Sequence, residues 1–332
     1  MIDTVFVDLG DTFRVIRKDD AYSHAAKTRI RDLLGAEAEP DEFYRTVIEP
    51  RYDKYREWAL TFYCEAPVKT LWTRWLAYDF PRERVEAAAD ELTWAYRKTK
   101  GERVVTDGGI ETIRELDRRG YTLGIVSDLV GVEEVDDWLD RDGLRPYFKT
   151  VQQSSVCLIR KPHPAIYYYA LAECGSRAEN TCYVGDNLNR DIVGAKAAGL
   201  GMTIAVRYPG KKPQEVTEEN RPDHFISHFS ELLKLLPALR YGGLASGVNR
   251  AKARTSCAWE LLPKSKIWTV PHSDRRSLTA SASLKTVHWT VFRAFGTPAP
   301  FGLNMYCFWV REKSGGQKYA HGSRRRSAGT GC

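Results

Sequence analysis

The chain has 332 residues, of which 43% are hydrophobic and 28% charged, and a formal net charge of +7. This composition is that of a globular protein, and the length predicts about two domains. No segment approaches the roughly 18 uninterrupted apolar residues of a membrane span, and the chain enters a strand pattern without a basic, apolar leader, so a cytoplasmic protein with no membrane partner is expected. The seven cysteines are irregularly spaced and contain no Cys-x-x-Cys pair, which excludes a predictable disulfide framework or zinc site.

The positive charge belongs to the C-terminal end of the chain. Residues 238–332 carry 16 Lys and Arg against 3 Asp and Glu, a balance of +13, which leaves −6 for residues 1–237. A glycine-rich linker at 241–247 precedes scattered Trp, Ser, Arg and Gly with no sustained period, so a poorly ordered basic extension is predicted over 238–332. The alternative is that its Arg324–Arg326 run binds nucleic acid or an anionic surface. For the protein as a whole, no nucleic-acid partner is expected.

The first predicted element is a strand at residues 5–8, and residues 17–100 follow it as a helical segment. Apolar and aromatic residues recur there at three- and four-residue spacing, which predicts helices at 21–34, 41–58, 68–78 and 82–96. Four tryptophans of this segment are expected to be packing residues rather than ligand contacts. They are Trp58, Trp72, Trp75 and Trp94.

From Val104 onward, strands alternate with helices, which predicts a mostly parallel sheet covered by helices. The predicted strands are 122–127, 149–152, 181–185, 202–206 and 224–227, and the predicted helices are 110–119, 132–140, 164–174, 190–198 and 230–236. Ligands of such sheets gather beyond the carboxyl ends of the strands. Asp8, Ser127 and Asp186 are therefore expected to converge on one crevice.

Four motifs occur in a fixed order along residues 1–237. They are DLGDT at 8–12, GYTLGIVS at 120–127, RKPHPAIY at 160–167, and YVGD at 183–186 with Asp191 and GAKAAG at 194–199. This series resembles the haloacid dehalogenase-like (HAD) hydrolase superfamily, and the helical segment resembles the α-helical cap of its first subfamily. The resemblance implies a doubly wound α/β core at 1–16 and 101–237, with an inserted cap domain at 17–100.

The resemblance and the chemistry of the residues together suggest roles for the site. Asp8 is expected to attack phosphorus and form an aspartyl-phosphate intermediate, while Ser127 and Lys161 bind the transferring phosphoryl oxygens. Mg²⁺ is the expected cofactor, held by Asp8, the backbone carbonyl of Gly10 and Asp186, because hard cations take oxygen ligands. Thr12 and Asp191 are expected to support these groups from behind, Asp191 by orienting Lys161 or a metal-bound water.

The family pattern carries a second Asp two residues after the nucleophile, where it protonates the leaving group and activates water. Here that position is Gly10, and the next residue is Asp11. A positioned general acid supplies about 10²–10⁴-fold in rate, so its loss predicts slow hydrolysis of alkyl phosphates. Asp11 is a candidate replacement if the loop takes an unusual shape. Asp128 also departs from the pattern, since Asn often follows the serine.

The leading hypothesis is a Mg²⁺-dependent phosphatase of a small phosphorylated metabolite. One alternative is a 2-haloacid dehalogenase, because halide leaves as an anion and needs no general acid. The other alternative is a HAD-like binding or regulatory module that has lost efficient turnover. The sequence leaves the substrate and the oligomeric state open.

Overall fold

The computed structural model describes residues 1–239, so nearly all of the predicted basic extension, 238–332, lies outside the described residues. The strands are β1 Thr4–Val7, β2 Arg14–Arg17, β3 Glu102–Val105, β4 Thr122–Ser127, β5 Phe148–Gln153, β6 Thr181–Gly185, β7 Met202–Val206 and β8 His224–Ile226. The helices are α1 Asp20–Leu34, α2 Pro40–Phe43, α3 Glu49–Phe62, α4 Val68–Thr70, α5 Arg82–Lys98, α6 Gly109–Arg118, α7 Glu134–Arg141, α8 Ser154–Cys157, α9 Ala165–Cys174, α10 Val193–Ala197 and α11 Leu232–Leu235. Three π-helical segments, Tyr44–Ile48, Leu71–Leu76 and Leu188–Ile192, continue neighbouring helices, and 3₁₀ turns lie at Arg145–Tyr147, Ala178–Asn180 and Phe229–Glu231.

Six strands form one parallel sheet in the order β5-β4-β1-β6-β7-β8. The central strand β1 pairs with β4 and β6 in matching register, since Thr4 lies opposite both Thr122 and Thr181. Helices cover both faces, as alternating strands and helices require. The prediction of an α/β fold with a mostly parallel sheet is confirmed.

Burial on both faces of the sheet explains the apolar composition of its strands. Val5 and Val7 face one hydrophobic cluster, whereas Phe6 faces the cluster formed with α9, and all three side chains are inaccessible to solvent. Successive residues of a strand point to opposite faces, so a strand covered on both sides is apolar throughout.

A two-stranded antiparallel sheet, β2 paired with β3, connects the six-stranded sheet to the helices α1–α5. The sequence did not predict this small sheet, because its strands have only four residues each and are rich in charged side chains. The helices between the two strands carry their own hydrophobic core, in which Tyr55 and Trp72 are fully buried. The division into a core at 1–16 and 101–237 and a cap at 17–100 stays a prediction.

Local capping sets the bounds of the first helix of this segment. The carboxylate of Asp19 accepts a hydrogen bond of 2.9 Å from the backbone N–H of Tyr22 at the start of α1, and Gly35 ends the helix in the left-handed region at φ 71°. The expected helix at 21–34 is thus confirmed with a shift of one residue.

The tryptophans of the helical segment are mainly packing residues, as predicted. Trp72 is buried and donates to the hydroxyl of Thr93 at 2.7 Å, and Trp58 and Trp75 pack against the same core. Trp94 differs, because it is only half-buried and lines a cavity of about 440 Å³ between α5 and the residues after β4.

Within residues 1–239, no helix has the length and apolar character that crossing a membrane requires.

Candidate active site

Polar groups from three neighbouring strands meet at the carboxyl edge of the sheet. Asp8 directly follows β1, Ser127 is the last residue of β4, and Asp186 directly follows β6. The backbone N–H of Asp8 donates to the carbonyl of Val184 at 2.8 Å, which continues the β1–β6 pairing as far as Asp8. The parallel sheet therefore brings together residues that are up to 178 positions apart in the sequence.

Lys161 and Ser127 both contact the same oxygen of Asp8. The ammonium of Lys161 donates to Oδ1 at 2.7 Å, and the hydroxyl of Ser127 donates to Oδ1 at 2.8 Å. Among the described residues, no hydrogen bond to Oδ2 of Asp8 is formed. The carboxylate is thus oriented through one oxygen while the other stays available for reaction.

Asp191 holds Lys161 from the far side. Its Oδ1 lies 2.6 Å from the Lys161 ammonium, and its Oδ2 accepts from the backbone N–H of Asn187 at 2.9 Å. A Cβ at Gly185 would come within 2.5 Å of Asp191 Oδ2, so the close approach of this carboxylate to β6 depends on glycine at that position.

Tyr183 is a member of the site that sequence reasoning missed. Lys161 donates to its hydroxyl at 2.8 Å, and the hydroxyl donates to the carbonyl of Val126 at 2.8 Å. In the sequence Tyr183 belongs to a buried apolar strand, and the hydrophobic pattern gives no sign of its hydroxyl. The aromatic ring fills the sheet face while its hydroxyl fixes the lysine.

Burial and charge shape the electrostatics of this cluster. Burial raises the pKa of Asp8, an effect that Lys161 partly offsets. Burial alone would lower the pKa of Lys161, but Asp191 and Asp8 raise it above its ordinary value, so the lysine stays charged. Burial, followed by the charges of Asp191 and Asp8, raises the pKa of Asp186 to about 8.

The three carboxylates form a set that suits a divalent cation. Asp8, Asp186 and Asp191 each place one oxygen so that these atoms lie within 4.8 Å of one another. Burial first, and the charges of Asp191 and Asp8 second, raise the pKa of Asp186, and a bound cation would oppose both effects. Carboxylate oxygens are also the donors that Mg²⁺ prefers, so the residues present fit the expected metal.

The remaining predicted residues lie on the turn after β1. Gly10 is exposed, and a Cβ built on it would meet no atom within 4 Å. Asp11 adopts a left-handed φ of 57°, and its Oδ1 lies 2.6 Å from the ammonium of Lys211 at the surface. Thr12 is buried, and its carbonyl accepts from the hydroxyl of Tyr208 at 2.6 Å, so it supports the turn from behind.

The carboxylate of Asp128 contacts the loop that carries Lys161. Its Oδ1 accepts from the backbone N–H of Lys161 at 3.0 Å, and its Oδ2 lies 3.6 Å from the guanidinium of Arg160. The extra acid at the position after Ser127 therefore belongs to the support of the Lys161 loop.

An α/β sheet that gathers carboxylates and a buried lysine at its carboxyl edge agrees with the hydrolase family that the motifs resemble. A family model described as "Haloacid dehalogenase-like hydrolase" matches residues 43–206, a range that contains Ser127, Lys161 and Asp186 and begins after Asp8. The fold also matches a crystal structure of a 2-haloacid dehalogenase from Pseudomonas syringae pv. Tomato with a TM-score of 0.53 at 23% identity, over 71% of this chain and 98% of that one. Residues 43–206 thus belong to the haloacid dehalogenase-like hydrolases.

Two curated relatives carry the name glyceraldehyde 3-phosphate phosphatase. The protein from Methanocaldococcus jannaschii is 32% identical over 131 residues, which span 40% of this chain and 56% of that relative. The protein from Methanopyrus kandleri is 29% identical over 248 residues, which span 72% of this chain and 99% of that relative. The matched region is thus just over half of the first relative's length and nearly all of the second's.

Proposed function

We propose that the chain is a Mg²⁺-dependent phosphatase of a small phosphorylated metabolite, with Asp8 as the nucleophile. The observation that supports it most is the shared contact of Lys161 and Ser127 with Oδ1 of Asp8, at 2.7 and 2.8 Å. A carboxylate held through one oxygen presents the other in a fixed direction, as in-line attack on phosphorus requires.

Each residue of the site has its own proposed role in the reaction. Oδ2 of Asp8 attacks phosphorus, the bond from phosphorus to the leaving oxygen breaks, and an aspartyl-phosphate forms. Lys161 and Ser127 each turn one donor from Oδ1 of Asp8 to the phosphoryl oxygens as charge develops on them, since Tyr183 and Asp191 take up the other donors of the lysine. Water then attacks the phosphorus, which restores the Asp8 carboxylate and releases inorganic phosphate. Thr12 and Asp191 act by holding the turn and the lysine.

Asp8, Asp186 and the backbone carbonyl of Gly10 are the groups proposed to hold Mg²⁺. When bound, the ion supplies positive charge that offsets the negative charge of the phosphoryl group and the carboxylates. Asp191 is committed to Lys161 and the N–H of Asn187, which favours a supporting role for it.

The turn after β1 affects which phosphates are hydrolysed fast. Gly10 supplies no acid, so a leaving oxygen that is stable as an anion is favoured over an alkoxide. Acyl and aryl phosphates are therefore the expected good substrates of the chemical step, and alkyl phosphates such as glyceraldehyde 3-phosphate the slower ones.

The test is a turnover assay of the full-length chain with Mg²⁺ against acetyl phosphate, p-nitrophenyl phosphate and glyceraldehyde 3-phosphate. Asp8→Asn keeps the shape of the side chain and removes the nucleophile, so we expect it to lower the rate by a factor of about 10³ or more. Equal turnover by the chain and the Asp8→Asn variant would refute Asp8 as the nucleophile, and no turnover by either protein would favour a binding or regulatory module.

Gly10 also gives a specific reason to test carbon–halogen hydrolysis. In that reaction Asp8 displaces halide and forms an ester, and no proton donor is needed at Gly10. The close set of Asp8, Asp186 and Asp191 favours the metal-assisted reaction instead. Chloride release from a 2-chloroacid without metal, in a protein that leaves all three phosphates intact, would establish the dehalogenase.

A further inference from the structure

A buried ion pair joins the helical segment to the loop that carries Lys161. The carboxylate of Glu65, between α3 and α4, pairs with the guanidinium of Arg160, and the side chains are 0% and 6% exposed. Glu65 also accepts from the hydroxyl of Tyr55 on α3 and from that of Ser154 at 2.7 Å. A buried carboxylate with three donors has one well-defined position.

The backbones on either side of this ion pair are joined as well. The N–H of Glu65 donates to the carbonyl of Leu158 at 3.0 Å, and the N–H of Arg160 donates to the carbonyl of Tyr63 at 2.9 Å. These two bonds flank an antiparallel bridge between Cys64 and Ile159. The residues that lead into Lys161 are therefore fixed by the helical segment rather than by the sheet.

Arg160 connects the ion pair with Glu65 to Asp128. Oδ2 of Asp128 lies 3.6 Å from Arg160 and 3.8 Å from Arg190, and it makes no hydrogen bond within residues 1–239. Oδ1 of the same carboxylate accepts from the backbone N–H of Lys161 at 3.0 Å. The attraction of Oδ2 to the two arginines thus sets the orientation of the Asp128 carboxylate. Through the hydrogen bond at Oδ1, that orientation sets the position of the Lys161 backbone.

Glu65 is also connected to the residues after Ser127, through the side chain of Ser154. Ser154, which contacts Glu65, accepts from the backbone N–H of Leu129 at 2.9 Å. The next residue, Val130, is buried in the hydrophobic core of the helical segment. Both loops that deliver groups to Asp8, the one with Ser127 and the one with Lys161, therefore depend on the surroundings of Glu65.

We propose that Glu65 is a positioning residue, which acts through Arg160, Asp128 and Ser154 to hold Lys161 and Ser127 against Asp8. This inference rests on the proposed function, because it concerns the same reaction. Glu65 touches neither Asp8 nor the acidic cluster, so its effect is on geometry. Displacements of about 1 Å at a reacting group lower the rate by up to about 10²-fold.

The experiment measures kcat and KM of the full-length chain with Mg²⁺ and acetyl phosphate. Glu65→Gln keeps the size of the side chain and removes its charge, and we expect kcat to fall by about tenfold or more while KM changes by less than about threefold. Asp79→Asn is the matched control, since it breaks the ion pair of 2.6 Å between Arg51 and Asp79 inside the helical segment. Its kcat is expected to stay within about twofold of the unaltered chain.

A double variant separates positioning from stability. Removing both charges, in Glu65→Gln with Arg160→Gln, leaves neither member of this ion pair buried alone, and Asp128 keeps Arg190 at 3.8 Å, so thermal stability recovers relative to Glu65→Gln alone. The double variant still lacks the contact of Arg160 with Asp128, so a positioning role predicts that its kcat stays low. A purely structural role predicts that kcat recovers together with stability.

The outcomes distinguish this inference from the proposed function. An active unaltered chain beside an equally active Glu65→Gln variant, or a double variant with restored kcat, would overturn the positioning role alone. An unaltered chain that hydrolyses no phosphate would refute the proposed function instead. If Glu65→Gln does not fold, the folded double variant decides the matter, since low kcat supports the inference and normal kcat overturns it.

Discussion

Asp11 forms an ion pair with Lys211, with 2.6 Å between Oδ1 and the ammonium, and the two side chains are 40% and 52% exposed. Asp11 is the acid next to the position where the family pattern carries its proton donor. Its left-handed φ of 57° accompanies this outward direction. The ion pair leaves the leaving-group side of Asp8 without a carboxylate from this turn.

This arrangement predicts that Asp11→Asn has little effect on turnover. A proton donor must lie within hydrogen-bond reach of the leaving oxygen, and an exposed carboxylate paired with Lys211 does not meet that condition. We expect kcat for acetyl phosphate and for glyceraldehyde 3-phosphate to stay within about twofold of the unaltered chain. A loss of 10-fold or more that is confined to glyceraldehyde 3-phosphate would show that Asp11 swings inward during catalysis.

Gly10→Asp is predicted to add the missing proton donor. A Cβ at this position meets no atom within 4 Å, and the backbone lies outside the left-handed region that favours glycine. We expect kcat for glyceraldehyde 3-phosphate to rise by about 10²-fold, and kcat for acetyl phosphate to change little, because only the alkoxide needs the proton.

Gly10→Asn is the control for this gain, since it has nearly the same shape and no proton to give. The measurement is the ratio of kcat values for the two phosphates in each variant. A similar ratio in the Asp and Asn variants would show that proton transfer is not what limits hydrolysis of the alkyl phosphate.

Gly185→Ala is predicted to displace the group that holds Lys161. The added Cβ would lie 2.5 Å from Asp191 Oδ2 and 2.6 Å from its Cβ, so Asp191 must move. Overpacking of this kind destabilises by about 1–3 kcal/mol. We expect a lower midpoint of urea unfolding and a lower kcat, whereas Gly10→Ala, whose Cβ enters open space, keeps both. An unchanged kcat in Gly185→Ala would mean that the contact of Asp191 with Lys161 is dispensable.

The groups that the sequence could predict are those that the parallel sheet itself brings together. Asp8, Ser127 and Asp186 follow apolar strands, and neighbouring parallel strands all end at the same edge, so their meeting follows from the pattern. Lys161 lies in a loop, where no hydrophobic periodicity marks it, and it was predicted from the RKPHPAIY motif at 160–167.

The groups that the sequence could not predict are those whose partners come from distant, irregular segments. Glu65 lies in the irregular stretch Cys64–Pro67 after α3, and its partner Arg160 is 95 residues away. Tyr183 appeared as one more apolar residue of a buried strand, since a hydroxyl leaves no trace in a hydrophobic pattern. The two-stranded sheet of β2 and β3 was missed because four residues are too few to establish an alternation.

Metal binding is predicted to stabilise the folded chain, and Asp186 is expected to be required for it. A ligand that binds only the native state adds about 2.7 kcal/mol at a concentration 100 times its Kd. We expect Mg²⁺ to raise the unfolding temperature of the EDTA-treated, full-length protein and to restore its phosphatase activity. In Asp186→Asn both effects should be lost, because one of the close carboxylate oxygens becomes a neutral amide.

Asp53→Asn, at an exposed site on α3, is the matched control and should keep both effects. An equal rise in unfolding temperature in the two variants would place the Mg²⁺ site away from Asp186.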